Sequence, residues 1–269
     1  MTQSGYIALT YWDLVLAAAL ILINGGLSLL FQLGIERTLL WNAMRMAIQL
    51  MAVGFVLKLV FTQTSPLWTL AMALVMILVA GYEVMARQTR RFAGWVAYGL
   101  GTTTLLFVGL ISVSYGVGVL IGPDPWYSPR FVLPILGMIM GNAMTGISLA
   151  LETLTTSALR DRAAIEARIA LGAQRSEALA AVKRHALKTG MMPIINSMAV
   201  TGIVSFPGMM TGQILAGVDP IQASKYQLLI MFLIGGGTAL GVLVSVIGGA
   251  WLLTDDRGRL RLDRLTEAK

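Results

Sequence analysis

The sequence predicts an all-α polytopic membrane protein. Three observations carry that reading. The 269 residues are 57% hydrophobic and only 12% charged, and their mean hydropathy is +0.77, too oily for a water-soluble domain. Several apolar runs reach about 20 residues, the length a helix rising about 1.5 Å per residue needs to cross about 30 Å of hydrocarbon. No alternation of apolar and polar residues suggests barrel strands. With no cysteine in the chain, disulfides and thiolate metal sites are excluded.

Seven spans follow in order. The first, 13–33, has no basic flank before it and no small-residue cleavage site after it, so it reads as a retained span rather than a removed signal. The second, 38–61, carries Asn42, Arg45 and Gln49 at i, i+3 and i+7, one polar stripe on an otherwise apolar helix. The third, 67–86, contains Glu83 and is followed by Arg87, Arg90 and Arg91. The fourth is 95–121. The fifth, 131–153, carries Asn142 and Thr145 and ends at Glu152. The sixth, 191–216, is interrupted at Pro207-Gly208, where proline removes a backbone donor and glycine permits a bend. The seventh is 227–253. Between spans, 122–130 and 217–225 are short and carry Asp-Pro turn signals.

Basic residues set the orientation, because lysine and arginine stay on the cytoplasmic side. One set of loops holds sixteen of the twenty, and the odd number of spans agrees with an outside N-terminus and an inside C-terminus. The net charge of +7 then lies at the cytoplasmic membrane surface beside anionic lipid and calls for no nucleic acid. The chain reads as a single membrane domain, 1–269, with a cytoplasmic loop at 154–190 and a basic cytoplasmic tail at 254–269.

The 154–190 loop is charged yet helix-forming. Ala158 to Leu171 is rich in helix formers, Gly172 suits the residue just past a helix end, and Ser176 to Lys188 resumes the helical pattern. Ile165, Ile169, Leu171, Leu179, Val182 and Leu187 form a candidate buried stripe beneath charged faces. The plainer reading is an amphipathic loop lying on the bilayer.

Family resemblance sharpens this. EARIALGA, Glu166 to Ala173, resembles the EAA loop of ATP-binding-cassette (ABC) transporter permeases, although Arg168 stands at the third position and the usual Leu-Pro ending is absent. The stretch His185 to Ile234, with SFPGMMTGQILAG at Ser205 to Gly217, resembles the FetB/YbbM family of bacterial ABC permeases, similar in turn to plant aluminium-tolerance membrane proteins. The likeness covers essentially the whole chain. It implies an inner-membrane permease associated with iron export or metal homeostasis, working with a separate cytoplasmic ATPase. Glu166, Ala167, Gly172 and Ala173 would then form the ATPase contact. The chain has no GxxxxGKS/T phosphate loop, so ATP and magnesium belong to the partner subunit and no cofactor is expected on this chain. One such loop per chain makes a homodimer facing two ATPases the economical assembly.

Polar groups inside spans are the pathway candidates, since a charge at mid-bilayer costs roughly 2.5–3.5 kcal/mol. Asn42, Arg45, Gln49, Glu83, Asn142 and Glu152 suit an inner vestibule for a cation, with both glutamates as possible partners of Arg45. Met209, Met210, Thr211 and Gln213 follow the Pro207-Gly208 break and suit the outer end of a pathway. Plainer readings compete: Glu83 pairs with Arg87 four residues on, and Gly137 with Gly141 and Gly237 with Gly241 serve close helix packing. The sixteen methionines read as apolar filler rather than a thioether ladder, and the lone His185 as a loop surface residue. The metal ligands are not legible. Two function classes remain: the membrane subunit of an ATP-driven metal exporter, and a self-sufficient channel or secondary transporter using Arg45, Glu83 and Glu152 as a charged relay.

Overall fold

A computed structural model describes residues 10–62, 65–255 and 259–267. Two compact units divide the chain: residues up to Thr64 with Gly212–Val218, and Ser65–Thr211 with Asp219–Lys269.

The first unit is built on a helical hairpin, α1 (Tyr11–Leu30) and α2 (Glu36–Thr62). Thr10 caps α1 in a reciprocal box with Asp13. The turn is closed by Leu33 N–H donating to Ser28 O at 2.9 Å and Gln32 N–H to Leu29 O at 3.2 Å. These are the two bonds of a Schellman ending. Gln32 occupies the left-handed position, φ 53°, that glycine usually fills. The buried Ser28 hydroxyl donates to Glu36 Oε2 at 2.9 Å and ties the two helices together.

The second unit holds α3 (Pro66–Ala86), α4 (Trp95–Val113), α5 (Pro129–Arg160), α6 (Arg162–Ala170), α7 (Arg175–Ala178), α8 (Ala180–Val200), α10 (Pro220–Leu252) and the start of α9 (Gly208–Leu215), whose residues from Gly212 on belong to the first unit. Within it α5, α8 and α10 pack on one another, and α3 and α4 pack against α5 and each other. Small residues make the approach possible. A Cβ on Gly146 would stand 2.8 Å from Gly190 O, and one on Gly190 would stand 2.7 Å from Gly146 O. At this α5–α8 crossing the two backbones touch. A Cβ on Gly237 or Gly241 of α10 would likewise stand 3.0 Å from Ile139 or Ile147 of α5.

Among the described residues, six helices are long and apolar enough to cross a membrane: α1, α2, α3, α4 with its π-helical extension Ser114–Ile121, α5 and α10. The expected sixth span, 191–216, is not one helix. Its first part belongs to α8, which begins eleven residues earlier at Ala180, and the chain leaves helix at Thr201 before α9 starts at Gly208. Gly202, φ 91°, and a bridge between Thr201 and Ser205 make that break, so it begins several residues before Pro207. The Asp219-Pro220 pair is a helix start rather than a free turn: Asp219 Oδ2 accepts from Ile221 and Gln222 N–H at 3.1 Å, and proline stands at the first helical position of α10.

The 254–269 tail is not only a basic extension. Its strand β2 (Leu265–Glu267) pairs antiparallel with β1 (Arg90–Phe92) in the α3–α4 connection. Arg264 donates from Nη1 to Leu252 O at 2.9 Å, and Ala93 N–H donates to Arg264 O at 2.8 Å.

Candidate functional site

The segment between α5 and α8 is a folded piece, not a loose loop. α5 runs unbroken past Glu152 to Arg160, turns at Asp161, and continues as α6. Gly172, φ 91°, closes α6: its N–H donates to Ile169 O at 3.0 Å, and Ala173 N–H donates to Arg168 O at 3.0 Å. That is the Schellman pattern expected for a glycine just past a helix end. A side chain at this φ would be strained. Chain direction then reverses into α7, where Gln174 N–H meets Glu177 Oε2 at 3.3 Å.

Ile165, Leu179 and Val182 are buried in the core cluster, while Ile169 and Leu187 pack against it half-buried. Burial of each large apolar side chain contributes about 1.5–3 kcal/mol, enough to fix the segment on the helix ends. Leu171 departs from the expected stripe. It is 89% exposed, because it lies just past α6 in the Schellman turn, which takes it off the helical stripe. Glu166, Ala167, Arg168 and Gly172 are exposed beside it, and Ala173 is half-buried. Glu166 is held by Arg162 at 2.8 Å, one turn earlier on α6. At the α5–α6 turn Arg160 bonds Asp161, which holds that carboxyl below its ordinary range.

The intramembrane candidates separate between the two units. Asn42, Arg45 and Gln49 lie on α2. Asn42 donates to Thr38 O on its own helix at 2.8 Å, Arg45 is half-buried and Gln49 is exposed. In the second unit, Glu83 lies 4.0 Å from Arg87, whose Nη1 donates to Thr145 Oγ1 at 3.3 Å and so links α3 to α5. Glu152 accepts from Thr89 N–H at 2.8 Å, Arg90 N–H at 3.2 Å and Thr156 Oγ1 at 3.3 Å. Both glutamates thus serve the end of the bundle where α3 stops. Asn142 bonds Met138 O on its own helix. Met209 and Met210 are half-buried, and Met210 S accepts from Ser224 Oγ at 4.0 Å. Gln213, which belongs to the first unit, keeps a buried side-chain oxygen without a hydrogen-bond partner. Among the described residues no three His, Asp or Glu side chains gather where they would hold a metal.

One group escaped the sequence reading: the β1–β2 pair beneath the α3–α4 connection. Thr155 Oγ1 donates to Arg90 O at 3.1 Å, and Phe92 is buried. With Glu152 this fastens the strand pair to the stretch of α5 that leads into α6. Three-residue strands carry no detectable alternation, so no signal announced them.

Comparison with known proteins places these features in a family. Residues 11–251 match the model of the Uncharacterised protein family (UPF0014). A UPF0014 membrane protein of Synechocystis is 38% identical over 79% of this chain and 82% of its own length. The protein called YjkA in Bacillus subtilis is 34% identical over 88% of this chain and 93% of its own length. The Escherichia coli protein named probable iron export permease protein FetB is 31% identical over 88% and 89%. No solved structure matches the chain.

Proposed function

Because the chain belongs to the UPF0014 family of membrane proteins, we propose that it is the membrane-spanning permease subunit of an ATP-driven ABC transporter that exports iron or another metal ion. On the strength of the basic residues its N-terminus is placed outside and its C-terminus inside the plasma membrane, with the α5–α8 connection in the cytoplasm; the broken α8–α9 segment then makes the crossing that six long helices leave uneven. The substrate class comes from the Escherichia coli relative's name.

The observation that supports the reading best is the α6–Gly172–α7 turn. It presents Glu166, Ala167 and Leu171 to solvent while Ile165 and Leu179 anchor it to the bundle. An ATPase gripping this turn pushes on two long helices at once, since α5 enters it and α8 leaves it. Those helices cross at Gly146 and Gly190, where backbone meets backbone with no flexible side chain to absorb the displacement. Nucleotide-driven closure of two ATPases would rock α5 and α8 about that crossing in each protomer of a homodimer. ATP and magnesium remain on the partner throughout.

The test is retention of the candidate ATPase by the tagged chain in mild detergent. Glu166→Ala combined with Gly172→Val is expected to abolish co-purification while leaving the melting of the α5–α8–α10 core within a few degrees, and ferrous ion is expected to stimulate ATP hydrolysis by the intact complex in liposomes. A folded chain that never retains the ATPase overturns the reading in favour of a gradient-driven transporter.

A further inference from the structure

At the end of the bundle where α3 stops and α4 begins lies a hollow of about 470 Å³, lined by Tyr82, Met85, Arg91, Trp95, Tyr98 and Thr266. We infer that it binds the headgroup of an anionic phospholipid from the leaflet at that end, with the phosphodiester on Arg91 and the glycerol and upper acyl carbons against Trp95, Tyr82 and Tyr98.

The geometry starts in the strand pair. Successive residues of a strand face opposite sides, so in Arg90–Phe92 the buried Phe92 turns into the bundle and Arg91 turns away from it, beside Thr266 of the paired strand. Arg91 is half-buried, yet its guanidinium has no hydrogen bond or ion pair among the described residues. Its neighbours fare differently: Arg87 has Glu83 and Thr145, and Arg264 has Leu252 O. A cation drawn partly out of water without a counter-charge is unfavourable, and none of the residues lining the hollow is acidic. The hollow is therefore complementary to an anion.

Its walls specify which kind. Trp95 is 85% and Tyr82 56% exposed, and Trp95 meets Tyr98 edge-on at 6.0 Å. Tyr98 fixes its own position by donating to Leu78 O at 3.3 Å. Tryptophan and tyrosine at the end of a membrane helix mark the depth of lipid headgroups, where an amphipathic ring meets both acyl carbon and water. Exposed Leu78 and Val79 of α3 and Val96 of α4 continue the apolar surface away from the hollow. A soluble anion would satisfy Arg91 but leave those rings and aliphatic side chains uncovered. A phospholipid covers both, and guanidinium binds phosphate in a planar two-point contact.

The experiment uses the full chain purified in mild detergent, titrated with phosphatidylglycerol or phosphatidylcholine and read by native mass spectrometry and by thermal melting. The wild type is expected to keep one tightly held phosphatidylglycerol per chain and to melt several degrees higher with it, with phosphatidylcholine bound about tenfold more weakly. Arg91→Gln should lose about tenfold in phosphatidylglycerol affinity and most of the lipid-dependent melting shift, Arg91→Lys should lose less, and the exposed-site control Arg175→Gln should behave as wild type. Reading the lipid-dependent shift rather than the absolute melting point separates loss of binding from loss of fold. Equal affinity for the two lipids, an Arg91→Gln variant indistinguishable from Arg175→Gln, or displacement of the lipid by millimolar inorganic phosphate would each overturn the proposal. Docking of the ATPase is unaffected by these outcomes, so the proposal stands or falls apart from the transport reading.

Discussion

The α1–α2 hairpin and the α5–α8–α10 core share an apolar composition but bury it differently. In α2 only 6% of the most apolar stretch is buried within the chain, whereas in α10 the share is 56%. Hydropathy alone does not produce that contrast, because lipid tails are as apolar as leucine and offer no reason for one apolar helix to seek another. Small residues do. The core crosses at Gly146 and Gly190 and seats Gly237, Gly241 and Gly249 against large side chains of neighbouring helices, while Gly26 and Gly54 of the hairpin stand in open space. In this chain hydropathy states that a helix is in the membrane, and glycine placement states what it touches there.

The comparison is broken most severely by filling the core crossing. Gly190→Leu drives a side chain into Gly146 O and Ala150, and is expected to cost about 3 kcal/mol or more, seen as loss of folded protein in detergent; Gly26→Leu in the hairpin should change stability by no more than about 0.5 kcal/mol. Equal losses at the two sites would remove the distinction between the regions. A smaller effect is expected at the end of the core. Glu152→Ala deprives Thr89 and Arg90 N–H of their carboxylate and should cost about 1–3 kcal/mol locally, read as faster hydrogen exchange across Arg90–Phe92 with α1 and α2 unchanged. The hairpin sharpens the comparison in the opposite direction. Gln32→Gly relieves a left-handed residue in its turn and is expected to stabilise the hairpin by about 1 kcal/mol, measured by thermal or denaturant unfolding.

The smallest effect is acid dependence of the tail. Asp263 sits below its ordinary carboxyl range chiefly because Arg261 hydrogen-bonds it, at 2.8 and 2.7 Å. A carboxyl lowered in the folded state contributes stability that is present above its unfolded value near about pH 3.9 and is lost as pH falls through the lower folded value. Hydrogen exchange of Leu265–Glu267 should therefore quicken slightly below about pH 4 in the wild type and show no such step in Asp263→Asn. An identical step in both variants would assign the acid response to other carboxyls.

Spans were legible wherever apolar runs were long, since α1 to α5 and α10 fall within a few residues of the runs that announced them, apart from a seven-residue continuation at the end of α5 and a seven-residue earlier start of α10. Gly172 was legible as well, because an isolated glycine after a run of helix formers has few other uses. The sixth apolar run misled: hydropathy registers composition and not backbone direction, so it joined the apolar half of α8 to α9 across the Thr201–Pro207 break. Glu83 and Glu152 were found as charges inside or beside spans, and the i,i+4 pairing of Glu83 with Arg87 was legible, but the engagement of Glu152 with Thr89 and Arg90 N–H depends on tertiary placement. Leu171 was assigned to a buried stripe by spacing and came out exposed because the turn at Gly172 ends the helical period before that residue.

The β1–β2 pair has a consequence for the order of manufacture. Arg90–Phe92 leave the ribosome early, yet the residues they bond, Leu265–Glu267, follow only after all ten helices have been made. Until then the connection between α3 and α4 is held by contacts such as those of Glu152 and Thr155 and the burial of Phe92, and the backbone groups of β1 that face its partner stay with water. Three residue pairs separated by more than 170 positions in the chain close late and are few, so they are among the easiest bonds to lose if the bundle behind them is wrongly assembled. Pairing of the tail is thus a record that synthesis ran to the far side of α10 and that the helices between were inserted in order.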